Sequence, residues 1–294
     1  MKENQISFTA MMTAYIRGIH SKYTNPKIFN DCLGYDLIPE EQKNRIEQTM
    51  PKEALMHSTA SITRSRYTED CLMKAIENGV EQYVILGAGL DTFAYRYPDL
   101  LKSLHVFELD HPATQNFKRQ RVDELGWNHP DNLHYISIDF TRDNLHYISI
   151  DFTREDIVTK FNSSLNYSVL SKSFFSWQGV TMYLSKEEVY KTLTNLSKVT
   201  PAGSMIVFDY FSVDEFNEET TSTNLQKKEN MMNKIGEPMK TGFDPASMKE
   251  EMAELGLNLL ENLSPVDIKK RYMTGLNENL QAHKNVYFAL AEVE

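Results

Sequence analysis

The residues with the clearest chemical potential form a glycine-rich turn, Gly87-Ala88-Gly89, which follows the apolar run of residues 83–86. Glycines at such a turn let the backbone pass close to a bound nucleotide, just before the N-terminus of a helix. The turn alone is a weak signal, because a dinucleotide-binding motif requires glycine or alanine at its sixth position, where this sequence has Thr92.

Two acidic residues follow the next apolar run: Glu108 and Asp110 lie 21 and 23 residues beyond Gly87. An ionised carboxylate is a strong double acceptor, so either residue could bind both hydroxyl groups of a ribose. NAD and S-adenosylmethionine both carry such a ribose. The two acids therefore support a nucleoside pocket without separating the two cofactors.

A third acid follows the third apolar run, and it occurs twice because residues 131–142 and 143–154 are the same twelve-residue sequence. It is Asp139, followed by Phe140, in the first copy, and Asp151, followed by Phe152, in the second. A carboxylate there can accept the exocyclic amine of adenine, while the apolar neighbour packs on the ring. A glycine turn, a ribose acid and an adenine acid at three successive strand ends predict a nucleoside pocket.

Strands and helices must bring these residues together. Residues 1–80 have apolar residues at helical spacing, and beyond them strand-like and helix-like segments alternate. This alternation predicts an α/β fold with a doubly wound, mostly parallel, seven-stranded sheet. The apolar runs predicted as its strands are residues 83–86, 104–110, 134–140 or its copy, 173–177, 204–210, 257–263 and 285–293.

Two parts of the chain are expected to have different roles. We predict that residues 1–80 form a helical N-terminal region packed over the site, and that residues 81–294 form one compact α/β domain. Within that domain, residues 212–242 are polar and are predicted to cover the site.

Composition argues against several classes of function. The net charge of −10 disfavours a nucleic-acid partner and an anionic membrane surface, and no apolar run approaches the ~20 residues of a membrane span. The two cysteines, Cys32 and Cys71, form no disulfide framework or zinc motif, which favours a reducing, cytoplasmic setting. No Ser-His-Asp or Cys-His arrangement is evident, so no catalytic base is assigned.

Four segments resemble the leucine carboxyl methyltransferase family, including its bacterial branch of O-methyltransferases. They are residues 63–67 (TRSRY), 82–96 (QYVILGAGLDTFAYR), 107–112 (FELDHP) and 177–184 (WQGVTMYL). The likeness extends through nearly the whole chain. It implies a class I, Rossmann-like methyltransferase fold and S-adenosylmethionine as the cofactor.

The resemblance also implies roles for individual residues. Arg64 matches the arginine that grips the methionine carboxylate of the cofactor, with Arg66 as a second candidate, and Arg17 matches a basic residue that faces the pocket. Gln178 stands where the family usually has glutamate. Glutamine keeps an acceptor oxygen but lacks the charge. The remaining cofactor-binding candidates are Gly87, Ala88, Gly89, Asp110 with Glu108, and Asp151 with Phe152 or Asp139 with Phe140.

Only one copy of the repeat can occupy the third strand. The 29 residues from Asp110 to Asp139 and the 26 residues from Asp151 to Trp177 both resemble the family spacing, so twelve residues are surplus. We expect the second copy to form the strand and Asp151 to bind adenine, because the surplus then lies away from the ligand crevice.

These features predict an S-adenosylmethionine-dependent O-methyltransferase that acts on a carboxylate of a small molecule or peptide. The sulfonium is already an activated methyl donor, and a carboxylate is ionised at neutral pH, so alignment and desolvation can suffice for catalysis. Two alternatives stay open at this point. One is a nicotinamide-dependent oxidoreductase, although Thr92 and the third acid argue against it. The other is a non-catalytic nucleoside-binding protein of the same fold.

Overall fold

A computed structural model describes residues 6–50, 55, 58–137, 166–216, 239–276 and 280–294. Its centre is a seven-stranded sheet with the order β3-β2-β1-β4-β5-β7-β6. Strands β1 to β5 are parallel, and β7 runs antiparallel to both β5 and β6. The strands are β1 (Gln82–Leu86), β2 (His105–Asp110), β3 (Leu133–Ser137), β4 (Ser173–Trp177), β5 (Met205–Phe211), β6 (Leu257–Leu263) and β7 (Val286–Val293).

The strand order reverses between β1 and β4, which are adjacent in the sheet although far apart in the chain. In doubly wound sheets, ligands bind at such a switch point, beside the carboxyl ends of the strands. Every residue of β1 and β4 is buried, which explains why aliphatic and aromatic residues predominate in both strands. The predicted doubly wound, mostly parallel α/β sheet is confirmed.

Helices cover the sheet and supply the N-terminal region. The longest, α4, ends at Glu77 and is followed by Gly79 at a φ of 86°, the left-handed conformation that commonly terminates a helix. The helices are α1 (Phe8–Tyr23), α2 (Leu33–Leu37), α3 (Glu40–Thr49), α4 (Thr59–Glu77), α5 (Phe93–Arg96), α6 (Pro112–Glu124), α7 (Lys186–Val199), α8 (Met248–Glu254) and α9 (Pro265–Tyr272).

The expectation that the second copy of the repeat forms the third strand is wrong. Residues of the first copy form β3, which pairs with β2 from Val106 opposite Leu133 to Asp110 opposite Ser137. The copies have identical letters and differ only in their flanks; the backbone N–H of Leu133 donates to the carbonyl of Pro130, a residue that precedes only the first copy. The surplus residues therefore follow β3 in the chain, and both Asp139 and Asp151 lie outside the described residues.

The predicted cover segment is described only at its two ends, because residues 217–238 lie outside the described part. Ser212 forms a bridge with Phe243, and the backbone N–H of Lys240 donates to the carbonyl of Met182 at 2.7 Å. Met182 belongs to the turn after β4, so the returning end of the segment contacts the switch-point side of the sheet. A covering role stays a prediction, as does the division of the chain at residue 80.

Candidate functional site

The glycine turn is held directly against the end of β2. The backbone N–H groups of Gly87 and Ala88 both donate to the carbonyl of Leu109, at 2.9 and 3.1 Å. Gly87 has a φ of 72°, and a Cβ there would lie 2.7 Å from Cγ2 of Val180. Both the backbone conformation and the close packing therefore require glycine at this position.

Asp110, the predicted ribose acid, lies beside that turn. One carboxylate oxygen accepts the backbone N–H of Gly89 at 2.5 Å, and the other accepts that of His111 at 2.6 Å. Burial raises the pKa of Asp110 to about 6, although both backbone hydrogen bonds oppose the shift. Each oxygen keeps a second lone pair that a ribose hydroxyl could use.

Glu108 takes a different place from the one expected of a second ribose acid. Its side chain is 1% exposed and forms an ion pair of 2.5 Å with Lys118 of α6, which is equally buried. Burial raises the pKa of Glu108 to about 7, even though the ammonium group of Lys118 opposes the shift. The structure thus places Glu108 between β2 and α6 with Lys118 as its partner.

Arg64 reaches the site from α4 and is positioned by an acid that the sequence interpretation missed. Its Nη1 donates to Oδ2 of Asp209 on β5 at 3.1 Å, and Oδ1 of the same carboxylate accepts the backbone N–H of Gly179 at 2.6 Å. Within the described part of the chain, no hydrogen bond occupies Nη2 or Nε of Arg64. That edge of the guanidinium group can serve a second carboxylate, because arginine carries five donors.

Gln178 faces α4. Its side-chain amide donates to the carbonyl of Arg64 at 2.9 Å and also to the hydroxyl of Thr68. A carboxylate could not donate to a backbone carbonyl, so glutamine is suited to this position by its amide nitrogen. The departure from the family pattern is therefore matched by contacts that need a donor.

Arg17 of α1 contacts the residue that follows the glycine turn. Its Nε donates to Asp31 at 2.8 Å, and its Nη2 donates to the carbonyl of Leu90 at 2.9 Å. Asp31 is fully buried and also accepts a hydrogen bond from the hydroxyl of Thr92. Burial alone would raise the pKa of Asp31, but the positive charges of Arg17 and Arg96 hold that pKa below its usual range. Thr92, which departs from the dinucleotide motif, therefore anchors the glycine turn to the N-terminal region through Asp31.

Arg66 is not brought to the crevice. It is 48% exposed and pairs with Asp70 one turn further along α4. Arg64 and Arg66 are two residues apart on a helix and so point to different sides of it. Of the two arginines, only Arg64 contacts the elements around the switch point.

Three important acids and bases were missed in the sequence interpretation, namely Asp31, Lys118 and Asp209. Asp209 had a visible signal, because it is a lone acid inside the apolar run that became β5. A charged residue is almost never fully buried unless it is paired, so its place in such a run indicates a partner. Asp31 and Lys118 lie in polar stretches of sequence and offered no comparable signal.

Two kinds of feature are absent from the described residues. No helix there is long and apolar enough to cross a membrane. In the same part of the chain, no group of three or more histidine, cysteine, aspartate or glutamate side chains is arranged to hold a metal ion.

Comparisons with known proteins agree with this geometry. Residues 10–197, more than half of the chain, match the family model for leucine carboxyl methyltransferase. YktD of Bacillus subtilis strain 168, whose name places it among the S-adenosyl-L-methionine-dependent methyltransferases, is 33% identical over 98% of each chain. A relative from Parafrankia, named for the same activity, is 29% identical over 68% of this chain and 62% of its own.

Solved structures support the fold alone, because their sequence identity is low. A DUF574 family protein of Streptomyces avermitilis superimposes with a TM-score of 0.61 at 13% identity, covering 97% of each chain. A protein of Thermobifida fusca described as a methyltransferase gives a TM-score of 0.59 at 12% identity, covering 100% of this chain and 97% of its own. The fold is thus shared with a protein described as a methyltransferase. The chain therefore belongs to the leucine carboxyl methyltransferase family of S-adenosyl-L-methionine-dependent methyltransferases.

Proposed function

We propose that this methyltransferase transfers the methyl group to a carboxylate oxygen of a small molecule or peptide. The observation that carries the proposal is the placement of Asp110 against the glycine turn at the end of β2, and of Arg64 against Asp209 of β5 and Gly179 after β4. The described residues offer binding groups and no evident general base. That combination suits an acceptor that is already ionised at neutral pH.

The residues at the switch point fit S-adenosylmethionine. Asp110 would accept hydrogen bonds from the ribose hydroxyls, the unoccupied edge of Arg64 would bind the methionine carboxylate, and the glycine turn would pass close to the cofactor. The cofactor supplies a methyl group bonded to a positively charged sulfur, which needs no further activation. The protein's own contribution is to bind and orient the two reactants and to exclude water between them.

Incubation with S-adenosylmethionine and a panel of carboxylic acids and peptides is expected to yield methyl esters. Mass spectrometry detects the added methyl group, and mild base distinguishes the products, because it hydrolyses a methyl ester and leaves a methyl ether intact. Matched phenols and amines serve as control acceptors. A base-stable product formed from the phenols alone would contradict the proposed carboxylate acceptor.

We propose Asp139 as the adenine acid, because it follows the described end of β3 by two residues, whereas Asp151 belongs to the surplus copy. Replacing Asp139 with alanine is expected to weaken S-adenosylhomocysteine binding by about 1–2 kcal/mol, the loss of one hydrogen bond to a charged group. Asp151→Ala, which makes the same chemical change, should alter affinity less than about twofold. Calorimetry on both variants decides the assignment, and the reverse pattern would return the role to Asp151.

A further inference from the structure

We propose that Asp209 is a positioning residue that fixes the direction in which Arg64 presents its guanidinium group to the cofactor. The inference rests on the proposed binding of the methionine carboxylate by Arg64. By holding Arg64, Asp209 makes the site selective for a cofactor that carries this carboxylate.

The geometry of Asp209 suits this role. The residue lies on β5, beside β4, and is 1% exposed. Its two carboxylate oxygens hold two different elements: Oδ2 accepts Nη1 of Arg64 from α4, and Oδ1 accepts the backbone N–H of Gly179 from the turn after β4. Its own backbone carbonyl accepts the hydroxyl of Thr181 at 2.6 Å, which ties the same turn to β5 a second time.

Gly179 completes the arrangement. It has a φ of 67°, and a Cβ built there would lie 2.7 Å from Nη2 and 2.8 Å from Nη1 of Arg64. The guanidinium group therefore packs directly against the glycine backbone, with Asp209 at one edge. These two contacts restrict the orientation of the planar group.

An arginine needs such restraint if it is to discriminate between ligands. A free arginine side chain loses rotamer entropy when it binds a ligand, and a group already held in place loses less. Asp209 restrains Nη1 and leaves the opposite edge, Nη2 and Nε, without a hydrogen bond from the described residues. A carboxylate can bind that edge through two parallel hydrogen bonds.

The test compares two ligands on variants of the full-length protein. The ligands are S-adenosylhomocysteine and its analogue in which hydrogen replaces the α-carboxyl group, with dissociation constants measured by calorimetry. Wild type should prefer S-adenosylhomocysteine by about 10- to 100-fold, the range expected for a charge-assisted pair. Asp209→Asn should reduce this preference to less than about threefold, and affinity for the analogue should change less than about twofold.

A double substitution separates positioning from a general structural role. Arg64→Lys should also abolish the preference, because a point charge cannot reproduce a two-pronged contact. In that background Asp209→Asn should have no further effect on the preference. Glu261→Gln is the matched control, since Glu261 pairs with Arg271 and contacts Tyr67 of α4 away from the crevice. It should retain the wild-type preference.

The possible outcomes are distinguishable. Equal binding of both ligands by wild type would overturn the assignment of Arg64, and the inference with it. A wild-type preference that survives in Asp209→Asn would overturn the role of Asp209 alone, as would an equal loss of affinity for both ligands. If Asp209→Asn does not fold, as judged by circular dichroism, Asp209→Glu replaces it. The longer acid keeps the charge but displaces the guanidinium group, so the preference should still fall.

Discussion

Replacing Lys118 with methionine is expected to lower the free energy of unfolding by about 3–5 kcal/mol at pH 8. Lys118 and Glu108 form an ion pair of 2.5 Å, and each side chain is about 1% exposed. Methionine fills a similar volume but leaves the carboxylate of Glu108 buried without its counter-charge. Urea unfolding followed by circular dichroism measures the change.

Two further variants test the cause. Lys102→Met removes an ion pair of similar length, to Asp99, but both partners are largely exposed, so the urea midpoint should stay close to that of wild type. Combining Lys118→Met with Glu108→Leu removes both buried charges and should restore stability to within about 1 kcal/mol of wild type. A double variant as unstable as the single one would show that lost packing, rather than an unpaired charge, is responsible.

The pH dependence of the single variant has a definite sign. Burial raises the folded-state pKa of Glu108 to about 7, above the ordinary value of 4.5 that applies after unfolding. The contribution of this group to stability is therefore complete below about pH 4.5 and is lost as the pH rises through about 7. Without Lys118 the carboxylate is even harder to ionise, so the destabilisation at pH 5 should be smaller than that at pH 8.

The central strands of the sheet could be predicted from sequence because they are buried on both faces. A parallel strand covered by two helical layers is mostly apolar, so β1 (QYVIL) and β4 (SFFSW) are visible as short runs rich in aliphatic and aromatic residues. The glycine turn and Asp110 were also predictable, because both follow immediately after such runs. Their positions in space follow from the parallel order of the sheet.

The interactions across the fold were not predictable in the same way. Lys118 stands in the polar run of α6, and nothing in that run shows that it meets Glu108 on β2. Likewise, the bond between Arg64 and Asp209 joins residues 145 positions apart. Such pairs depend on how helices sit on the sheet, which hydrophobic periodicity does not specify. The choice between the two repeat copies failed for a related reason: the copies have identical letters, so only their flanks and their place in the fold distinguish them.

Affinity for S-adenosylhomocysteine is expected to increase as the pH rises through about 6, because the ribose hydroxyls must donate to an ionised Asp110. Burial raises the pKa of that carboxyl to about 6, so the fraction that can accept both hydroxyls falls about tenfold for each pH unit below this value. The amino and carboxyl groups of the ligand do not titrate between pH 5 and 7.5. Calorimetry at pH 7.5 and pH 5 should show about a tenfold difference in the dissociation constant.

Asp110→Asn tests whether Asp110 is the group that causes this pH dependence. The amide keeps the size of the side chain but cannot ionise, and its nitrogen would oppose a backbone N–H, either that of Gly89 or that of His111. Losing two charge-assisted hydrogen bonds should weaken binding at pH 7.5 by about 3 kcal/mol, or about 150-fold. The pH dependence should disappear at the same time. Glu108→Gln is the control for the other nearby acid: if that change, and not Asp110→Asn, flattens the profile, then the titrating group is Glu108 and the ribose assignment of Asp110 is wrong.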